Sequence, residues 1–164
     1  MKVQRILKHL LATDGQVGRA FPPSTLLAIE QAIKDSEATH EGEIRFVVEG
    51  GLDGRPLFNG QSARERAVEL FAQLRVWDTE RNTGLLIYLL LADRAVEIVA
   101  DRGIHACVGS HDWSQICRQM EEAFKQSKFE AGVVGGVQAV TQHLVCHFPA
   151  DGRGNELPDK PVLL

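Results

Sequence analysis

The longest apolar run of the chain covers residues 85–91, with the sequence LLIYLLL. A continuous run of this kind is typical of a strand with both faces buried, so we place it at the centre of a sheet between helical layers. A short run rich in Phe and Val predicts another strand near residues 43–49, and the run VEIVA predicts a third near residues 96–101. The pattern therefore predicts three short strands.

Asp93 and Arg94 form a polar corner between the second and third predicted strands, which indicates an antiparallel hairpin. With a two-residue corner, Leu91 faces Val96 and Leu85 faces Arg102. At the open end of the hairpin, Asn82 then comes opposite His105. Because alternate strand residues point to opposite sides, one face of the central strand should carry Leu85, Ile87, Leu89 and Leu91, and the other Leu86, Tyr88 and Leu90.

Apolar residues at helical spacing predict four helices, near residues 24–39, 62–75, 112–127 and 129–147. Ser62 and Glu65 form a capping box at the start of the second. The strand near residues 43–49, the helix near residues 62–75 and the central strand make a βαβ unit. Its two strands should be parallel, with a right-handed crossover. We therefore predict an α/β fold, a three-layer α/β/α sandwich with a small mixed sheet. The predicted inner faces are Leu26, Ile29 and Ile33; Val68, Phe71 and Leu74; Trp113, Ile116, Cys117, Met120 and Phe124; and Val133, Val137, Val140, Leu144 and Phe148.

Two terminal segments flank the predicted domain at residues 22–148. Residues 1–21 contain an amphipathic helix and a connector, and residues 149–164 are Pro- and Gly-rich and predict an extended tail. Three basic residues of the helix lie off its apolar stripe. The helix is suited to docking on its own domain, which we favour, or to peripheral contact of residues 2–11 with a membrane or a partner. Its apolar stripe is Val3, Ile6, Leu7, Leu10 and Leu11.

Charge, cysteine content and hydrophobic segments argue against several classes of protein. The net charge of −4 does not fit a nucleic-acid-binding protein, which usually has a basic face. Three cysteines without a C-x-x-C pair argue against a disulfide framework and a zinc ribbon. The apolar run at residues 85–91 is too short to span a bilayer, and the N-terminal segment lacks the pattern of a signal peptide. The expected location is the cytoplasm.

Polar residues of metal-ligand type flank the open end of the hairpin. Their oxygen atoms suit Ca²⁺ or Mg²⁺, whereas the imidazole of His105 would favour a transition metal. Two arginines in the same segments, Arg81 and Arg102, are candidate phosphate contacts. The alternative is a solvated rim of acids neutralised by surface ion pairs. The candidate metal ligands are Asp78, Glu80, Asn82, Asp101 and His105.

Three other groupings are weaker. Asp53 and Asp93 lie beyond the carboxyl ends of the predicted parallel strands, the usual ligand side of such sheets, but Asp93 is more simply a turn residue. A helical His143 and His147, with Cys146 beside them, have a spacing that can hold zinc but lack a further ligand. Cys107 near His105 could act as a nucleophile, but no third group orients them. We assign no catalytic residue.

The segment RNTGLLIYLLLADRAVEIVADRGIH, together with FEAGVVGGVQAV near the C-terminus, resembles the TPM domain family, which includes thylakoid-lumen, photosystem-repair and MOLO-type domains. The family has an Asn-Gly or Asp-Asn-Gly before an apolar strand, an Asp-Arg corner, and a Gly-Tyr-Gly-like turn after the return strand. The resemblance extends over residues 22–148. This chain departs from the family at two points, with Asn82-Thr83-Gly84 at the first and Asp101 to His105 at the second.

The resemblance implies an α/β/α sandwich. Members of the family are tied to membrane-protein repair or assembly, some bind divalent cations, and weak acid phosphatase activity is attributed to some. We therefore expect a non-enzymatic accessory module that binds a partner protein, with a divalent cation as its candidate cofactor. The alternative is a weak, metal-dependent acid phosphatase acting on phosphomonoesters.

Overall fold

The computed structural model describes residues 2–164, which form eight helices and four strands. The helices are α1 (Lys2–Leu11), α2 (Asp14–Ala20), α3 (Pro23–Glu37), α4 (Gly54–Phe58), α5 (Ala63–Gln73), α6 (Arg102–His105), α7 (Ser110–Lys125) and α8 (Phe129–His147). The strands are β1 (Glu43–Glu49), β2 (Gly84–Leu90), β3 (Ala95–Ala100) and β4 (Val162–Leu163). Within these residues no helix is both long and apolar enough to cross a membrane.

The sheet is mixed, with the strand order β3-β2-β1-β4. β1 and β2 are parallel, with Glu43 beside Gly84 and Glu49 beside Leu90, and β3 runs antiparallel to β2. The predicted βαβ unit and hairpin are therefore confirmed. β4 comes from the C-terminal tail and adds to the free edge of β1 in parallel.

The predicted register of the hairpin is wrong by two residues. Leu85 pairs with Ala100 and not with Arg102, and Val96 pairs with Leu89 and not with Leu91. Residues 91–94 form a longer turn, because the amide of Leu91 continues the pairing with β1 by donating to the carbonyl of Glu49 at 2.9 Å. At the open end, Asn82 therefore lies opposite Gly103, whose amide donates to the Asn82 carbonyl at 3.0 Å.

Two hydrophobic clusters cover the two faces of β2, as the alternation of its residues predicted. Leu85, Ile87 and Leu89 pack with α3, α7 and α8, and Leu91 lies partly buried against the same cluster. Leu86, Tyr88 and Leu90 pack with α4 and α5 on the opposite face. A sheet with helices on both faces is the predicted three-layer sandwich.

The inner face of α5 differs from the prediction. Val68 is 49% exposed, whereas Ala63, Ala67 and Leu70 are the buried positions of this helix. Small alanine side chains allow α5 to lie close to the sheet, so Phe71 and Leu74 reach only the margin of the cluster. The predicted capping box at the start of α5 is confirmed.

A buried ion pair joins α5 to the sheet. Arg66 donates from Nη2 to Glu49 Oε1 at 2.9 Å and from Nε to Oε2 at 3.0 Å, and the Tyr88 hydroxyl donates to Oε2 at 2.6 Å. Burial and the neighbouring Glu49 carboxylate raise the pKa of Tyr88. Glu49 and Tyr88 are both buried, so the three side chains satisfy each other inside the core.

The outer edge of β3 is bonded to side chains of two helices. Glu121 of α7 accepts a hydrogen bond from the amide of Val96 at 3.0 Å. Arg64 of α5 donates to the carbonyl of Ile98 at 2.6 Å. On the opposite edge of the sheet, the amide of Leu164 donates to Val48 at 2.9 Å. Both margins of the sheet therefore have bonded backbone groups.

Candidate functional site

Asp101 lies at the open end of the hairpin, between β3 and α6. Its Oδ1 accepts a hydrogen bond from the amide of Arg102 at 2.7 Å and so caps α6. Its Oδ2 is buried and has no hydrogen-bond partner within residues 2–164. A buried carboxylate oxygen is costly unless a donor, a water or a cation satisfies it. Of the predicted ligands, Asp101 is therefore the one with a free, buried acceptor.

The loop before β2 packs closely against the start of α6. Asn82 has a left-handed backbone, with φ of 56°. A Cβ atom at Gly103 would lie 2.6 Å from the Arg81 carbonyl oxygen and 2.5 Å from that of Asn82. Only glycine fits at this position. The contact brings two main-chain oxygens, the type of ligand that Ca²⁺ binds, beside the segment that begins with Asp101.

The other predicted metal ligands lie at the surface. Asp78 forms an ion pair with Arg75 at 2.9 Å, and Glu80 forms one with Arg153 at 2.6 Å. The side chains of Asn82 and His105 are exposed. Within residues 2–164, the three acidic side chains whose ligand atoms lie close together are not at the hairpin end. They are Glu37, Glu43 and Asp159. The hairpin end thus offers one buried carboxylate and not a cage of several.

The two predicted phosphate contacts differ in their surroundings. Arg81 donates to Glu41 at 2.8 Å and lies 3.8 Å from a carboxylate oxygen of Asp151, so neighbouring acids hold its guanidinium. Arg102 is exposed and makes no ion pair in the part of the chain that the structure describes. Of the pair, Arg102 alone has a guanidinium available to an anion.

Three carboxylates, Glu37, Glu43 and Asp159, form an acidic cluster where the C-terminal tail passes β1. Their oxygens lie within 4.8 Å of one another. Glu43 accepts hydrogen bonds from two amides of the tail, at 3.1 and 3.3 Å. Glu37 accepts one from the amide of Ile44 at 2.7 Å. Burial, reinforced by Glu43 and Asp159, raises the pKa of Glu37 to about 10. The two hydrogen bonds from the tail amides to Glu43 attach the tail to β1 beside this cluster, and we call this attachment the latch.

The sequence did not predict this cluster. Its members come from α3, from β1 and from a tail that was expected to be extended. Arg45, on the same face of β1 as Glu43, strengthens the latch by donating to the carbonyls of Pro158 and Lys160. The one signal in the sequence is the pair of apolar residues at the end of the tail, Leu163 and Leu164, because apolar residues favour a return to the domain.

A groove of about 1410 Å³ lies at the opposite end of the sheet, beside the turn that follows β2. The end of α1, the end of α2 and the start of α8 form its walls. Its location, at the carboxyl end of a parallel strand, is where open α/β sheets usually bind ligands. Apolar side chains contribute to its lining, among them Leu11, Leu91, Phe129 and Val134.

Four cationic side chains line this groove, and all four are exposed. Within residues 2–164 none of them takes part in an ion pair with a carboxylate. The first turn of α8 also lines the groove and has no side-chain cap, so its free amides add positive partial charge. The four cations are Lys8, Arg19, Arg94 and Lys128.

The acids of the groove already have partners. Asp93 accepts hydrogen bonds from Arg5 and His9, at 3.0 and 2.9 Å. Glu130 accepts one from the hydroxyl of Thr25 at 2.9 Å. The Arg5 and His9 bonds oppose the effect of burial, and they keep the pKa of Asp93 below its usual value. The groove therefore has more free positive than free negative charge.

α1 docks on its own domain, but through its polar side. His9 is buried; its Nδ1 accepts from the amide of Leu52 at 2.8 Å, which leaves Nε2 to donate to Asp93. Arg5 pairs with Asp93 on the same side. The predicted stripe does not form the contact, apart from a partly buried Ile6. Its other members are exposed by 78, 56, 59 and 61%: Val3, Leu7, Leu10 and Leu11.

The weaker groupings do not assemble into sites in the described part of the chain. His143 stacks edge-on against Trp113, with ring centroids 5.4 Å apart, and His147 and Cys146 are exposed. Cys107 is also exposed. Asp53 stands at the start of α4 and makes no side-chain cap there.

Comparison with known proteins gives one family and several similar folds. The family model described as the TPM domain matches residues 18–143. The chain is similar to the BA42 protein of the psychrophilic bacterium Bizionia argentinensis, with 28% identity over 85% of this chain and 92% of that one, and a TM-score of 0.75. A search of curated proteins gave no match.

Two more distant structures share the fold. One is the N-terminal domain of a protein from P. gingivalis, with 20% identity, 79% of this chain and 81% of that chain covered, and a TM-score of 0.62. The other is the N-terminal domain of the cg2496 protein of Corynebacterium glutamicum, with 14% identity, 82% and 78% covered, and a TM-score of 0.55.

Proposed function

The chain belongs to the TPM domain family, and we propose that it is a non-catalytic binding module whose groove takes an acidic, partly apolar segment of a partner protein. One observation carries this proposal: among the described residues, four exposed cations line the groove without carboxylate partners, while its two acids are already bonded. Cations without internal partners leave the groove complementary to an acidic ligand.

The lining of the groove explains why a peptide segment is the preferred ligand. Leu11, Phe129 and Val134 give it apolar surface between the cations, and an extended peptide presents acidic and apolar side chains in alternation. Burial of apolar side chains adds affinity, and the cations set orientation and the rate of association.

Charge reversal in the groove tests the proposal. We expect Arg19→Glu combined with Lys128→Glu to weaken binding of a fluorescein-labelled peptide of alternating Glu and Leu by about tenfold or more at low ionic strength, because two attractive charges become repulsive. Fluorescence anisotropy gives the dissociation constants. Binding by the unchanged protein should also weaken as salt is added.

A matched control carries the same change in net charge outside the groove. Arg102→Glu with Arg118→Glu alters two exposed cations that do not line the groove and is expected to leave peptide affinity within about twofold, since distant exposed charges are screened. Equal losses in both double variants would show a response to net charge alone and would contradict the assignment of the groove.

Asp101 supports a second candidate, a weak metal-dependent phosphatase at the hairpin end. Its unpartnered Oδ2 suits a divalent cation, and the exposed Arg102 is free to contact phosphate oxygens. A cation bound there would supply charge that polarises a phosphoryl group. The supply of ligands is short, because Asp78 and Glu80 are held by arginines. We therefore rank this function below the binding module.

Asp101→Asn separates the two functions. Asparagine keeps the oxygen that caps α6 but lacks the charge, so amide shifts caused by Ca²⁺, Mg²⁺ or Mn²⁺ at residues 78–82 and 101–107 should disappear in NMR titrations. Asp78→Asn, which changes an acid already paired with Arg75, should leave them unchanged. Shifts that persist in Asp101→Asn would rule out the cation site. The phosphatase would be favoured if the unchanged protein released p-nitrophenol from p-nitrophenyl phosphate in the presence of the metal and the Asp101→Asn variant did not.

A further inference from the structure

The geometry points to a membrane contact: we propose that the exposed apolar face of α1 docks on the surface of an anionic lipid bilayer. The inference goes beyond the proposed peptide groove, because it concerns the outer face of the helix. α1 packs in the reverse of the usual orientation of an amphipathic helix: its polar residues face the domain and most of its apolar residues face outward.

The outward face is held in place by bonds within the domain. Arg5 and His9 both contact Asp93, and His9 also accepts a hydrogen bond from the amide of Leu52. Rotation of α1 to bury its leucines would break these bonds and leave Asp93 without partners. The apolar face is therefore a fixed feature of the fold. At 100° per residue, Val3, Leu7, Leu10 and Leu11 occupy an arc of about 100°, which suits a helix lying in the plane of a membrane surface.

Charge around this face fits an anionic surface. α1 contains no acidic residue, and Lys2 and Lys8 are exposed on it. Lys8 also lines the groove, where Arg19, Arg94 and Lys128 continue the positive surface. The whole chain is negative, at −4, so these exposed cations contrast with the overall charge, even with the exposed Asp14 and Asp53 on neighbouring elements. Such local charge attracts a protein to anionic lipids and orients it there.

The type of apolar residue favours lipid over a protein partner. Cores of protein–protein interfaces are enriched in aromatic residues and depleted of lysine, whereas the exposed face of α1 is wholly aliphatic with a lysine beside it. Aliphatic leucines enter the acyl boundary without needing complementary pockets.

Vesicle sedimentation tests the inference with the full chain. The protein is mixed with vesicles of phosphatidylcholine alone, or of equal parts phosphatidylcholine and phosphatidylglycerol. We expect sedimentation with the second type and little with the first. Leu7→Gln with Leu10→Gln should weaken binding to the anionic vesicles by about tenfold or more, because two side chains no longer enter the apolar layer. Leu27→Gln with Val68→Gln changes two similarly exposed residues of α3 and α5 and should have little effect.

The outcomes distinguish this inference from the proposed peptide binding. Vesicle binding that is lost in Leu7→Gln/Leu10→Gln, while the Glu-Leu peptide still binds, supports the membrane contact. Three results would each overturn it: no vesicle binding, equal binding to neutral and anionic vesicles, or equal losses in both double variants. A protein captured through the α1 face, with no affinity for vesicles, would also overturn it. An unchanged protein that binds anionic vesicles but not the Glu-Leu peptide would count against the groove and leave the membrane contact standing.

Discussion

Arg66→Ala is expected to lower the free energy of unfolding by about 3 kcal/mol, because it leaves a buried carboxylate without its counter-ion. Arg66 makes two hydrogen bonds to Glu49, and Glu49 is 7% exposed. The hydroxyl of Tyr88 would remain as a single donor to the charged group. Urea unfolding followed by circular dichroism gives the change directly.

Two further variants identify the cause. Glu69 also pairs with Arg66, at 3.0 Å, but its side chain is 42% exposed, so Glu69→Ala should cost less than about 1 kcal/mol. Adding Glu49→Gln to Arg66→Ala should recover part of the stability, since a neutral amide is cheaper to bury than a lone carboxylate. Equal losses from Arg66→Ala and Glu69→Ala would mean that the buried pair is not the source.

Glu37→Gln is expected to stabilise the protein at alkaline pH and to flatten its dependence of stability on pH. Burial raises the pKa of Glu37 to about 10 in the folded state, from 4.5 for a freely solvated glutamate. Between these values unfolding releases a proton, so stability falls as pH rises, by at most about 1.4 kcal/mol per pH unit. Glutamine can keep the hydrogen bond from Ile44 and does not ionise. We expect little difference near pH 5 and a gain of at most about 4 kcal/mol near pH 8.

Asp35→Asn is the matched control on the same helix. Asp35 is exposed and accepts a hydrogen bond from Gln31, which asparagine can also accept. Urea midpoints of this variant should follow those of the unchanged protein across the same pH range. A Glu37→Gln protein that loses stability with rising pH as steeply as the unchanged protein would contradict the assigned titration.

The sequence was sufficient to predict β1, β2, β3 and the main helices, but not β4, which lies in the predicted tail. Continuous apolar runs have few alternatives to a buried strand, and β1 matches its predicted residues 43–49 while β2 and β3 are shifted by one residue. Helix α8 also has its predicted limits. The stripe of α7 from Trp113 to Phe124 is buried at each predicted position, because a spacing of three and four residues leaves one face for the core.

Other features depended on contacts that no local pattern contains. The turn after β2 is longer than predicted because Leu91 remains bonded to β1. The orientation of α1 depends on Asp93, more than eighty residues away in sequence. A hydrophobic stripe ordinarily predicts the packing face of a helix. In α1, the bonds of Arg5 and of the buried His9 to Asp93 outweigh that tendency.

The candidate sites show the same limit. Asp101 was named from the sequence because the hairpin brings the residues after β3 near those before β2, and the structure gives it an unpartnered oxygen. The partner of Glu80 could not be foreseen, since it is Arg153 of the tail, whereas Asp78 pairs locally with Arg75. The cationic groove was not predicted either. Its four cations come from α1, α2, a turn and the residue before α8.

The side-chain bonds along β3 bear on how the molecule behaves in crowded solution. An edge strand with free amides and carbonyls is a template on which a strand of another molecule can add, and such addition leads to aggregation. In β3, the amide of Val96 donates a hydrogen bond to Glu121, and the carbonyl of Ile98 accepts one from Arg64, so neither group is free for another strand. Residues of β4 cover the other edge at Val47 and Val48. Two charged side chains on helices thus occupy groups of β3 that an added strand would use, so the resistance of this edge to intermolecular sheet formation depends on α5 and α7 as well as on the strand itself.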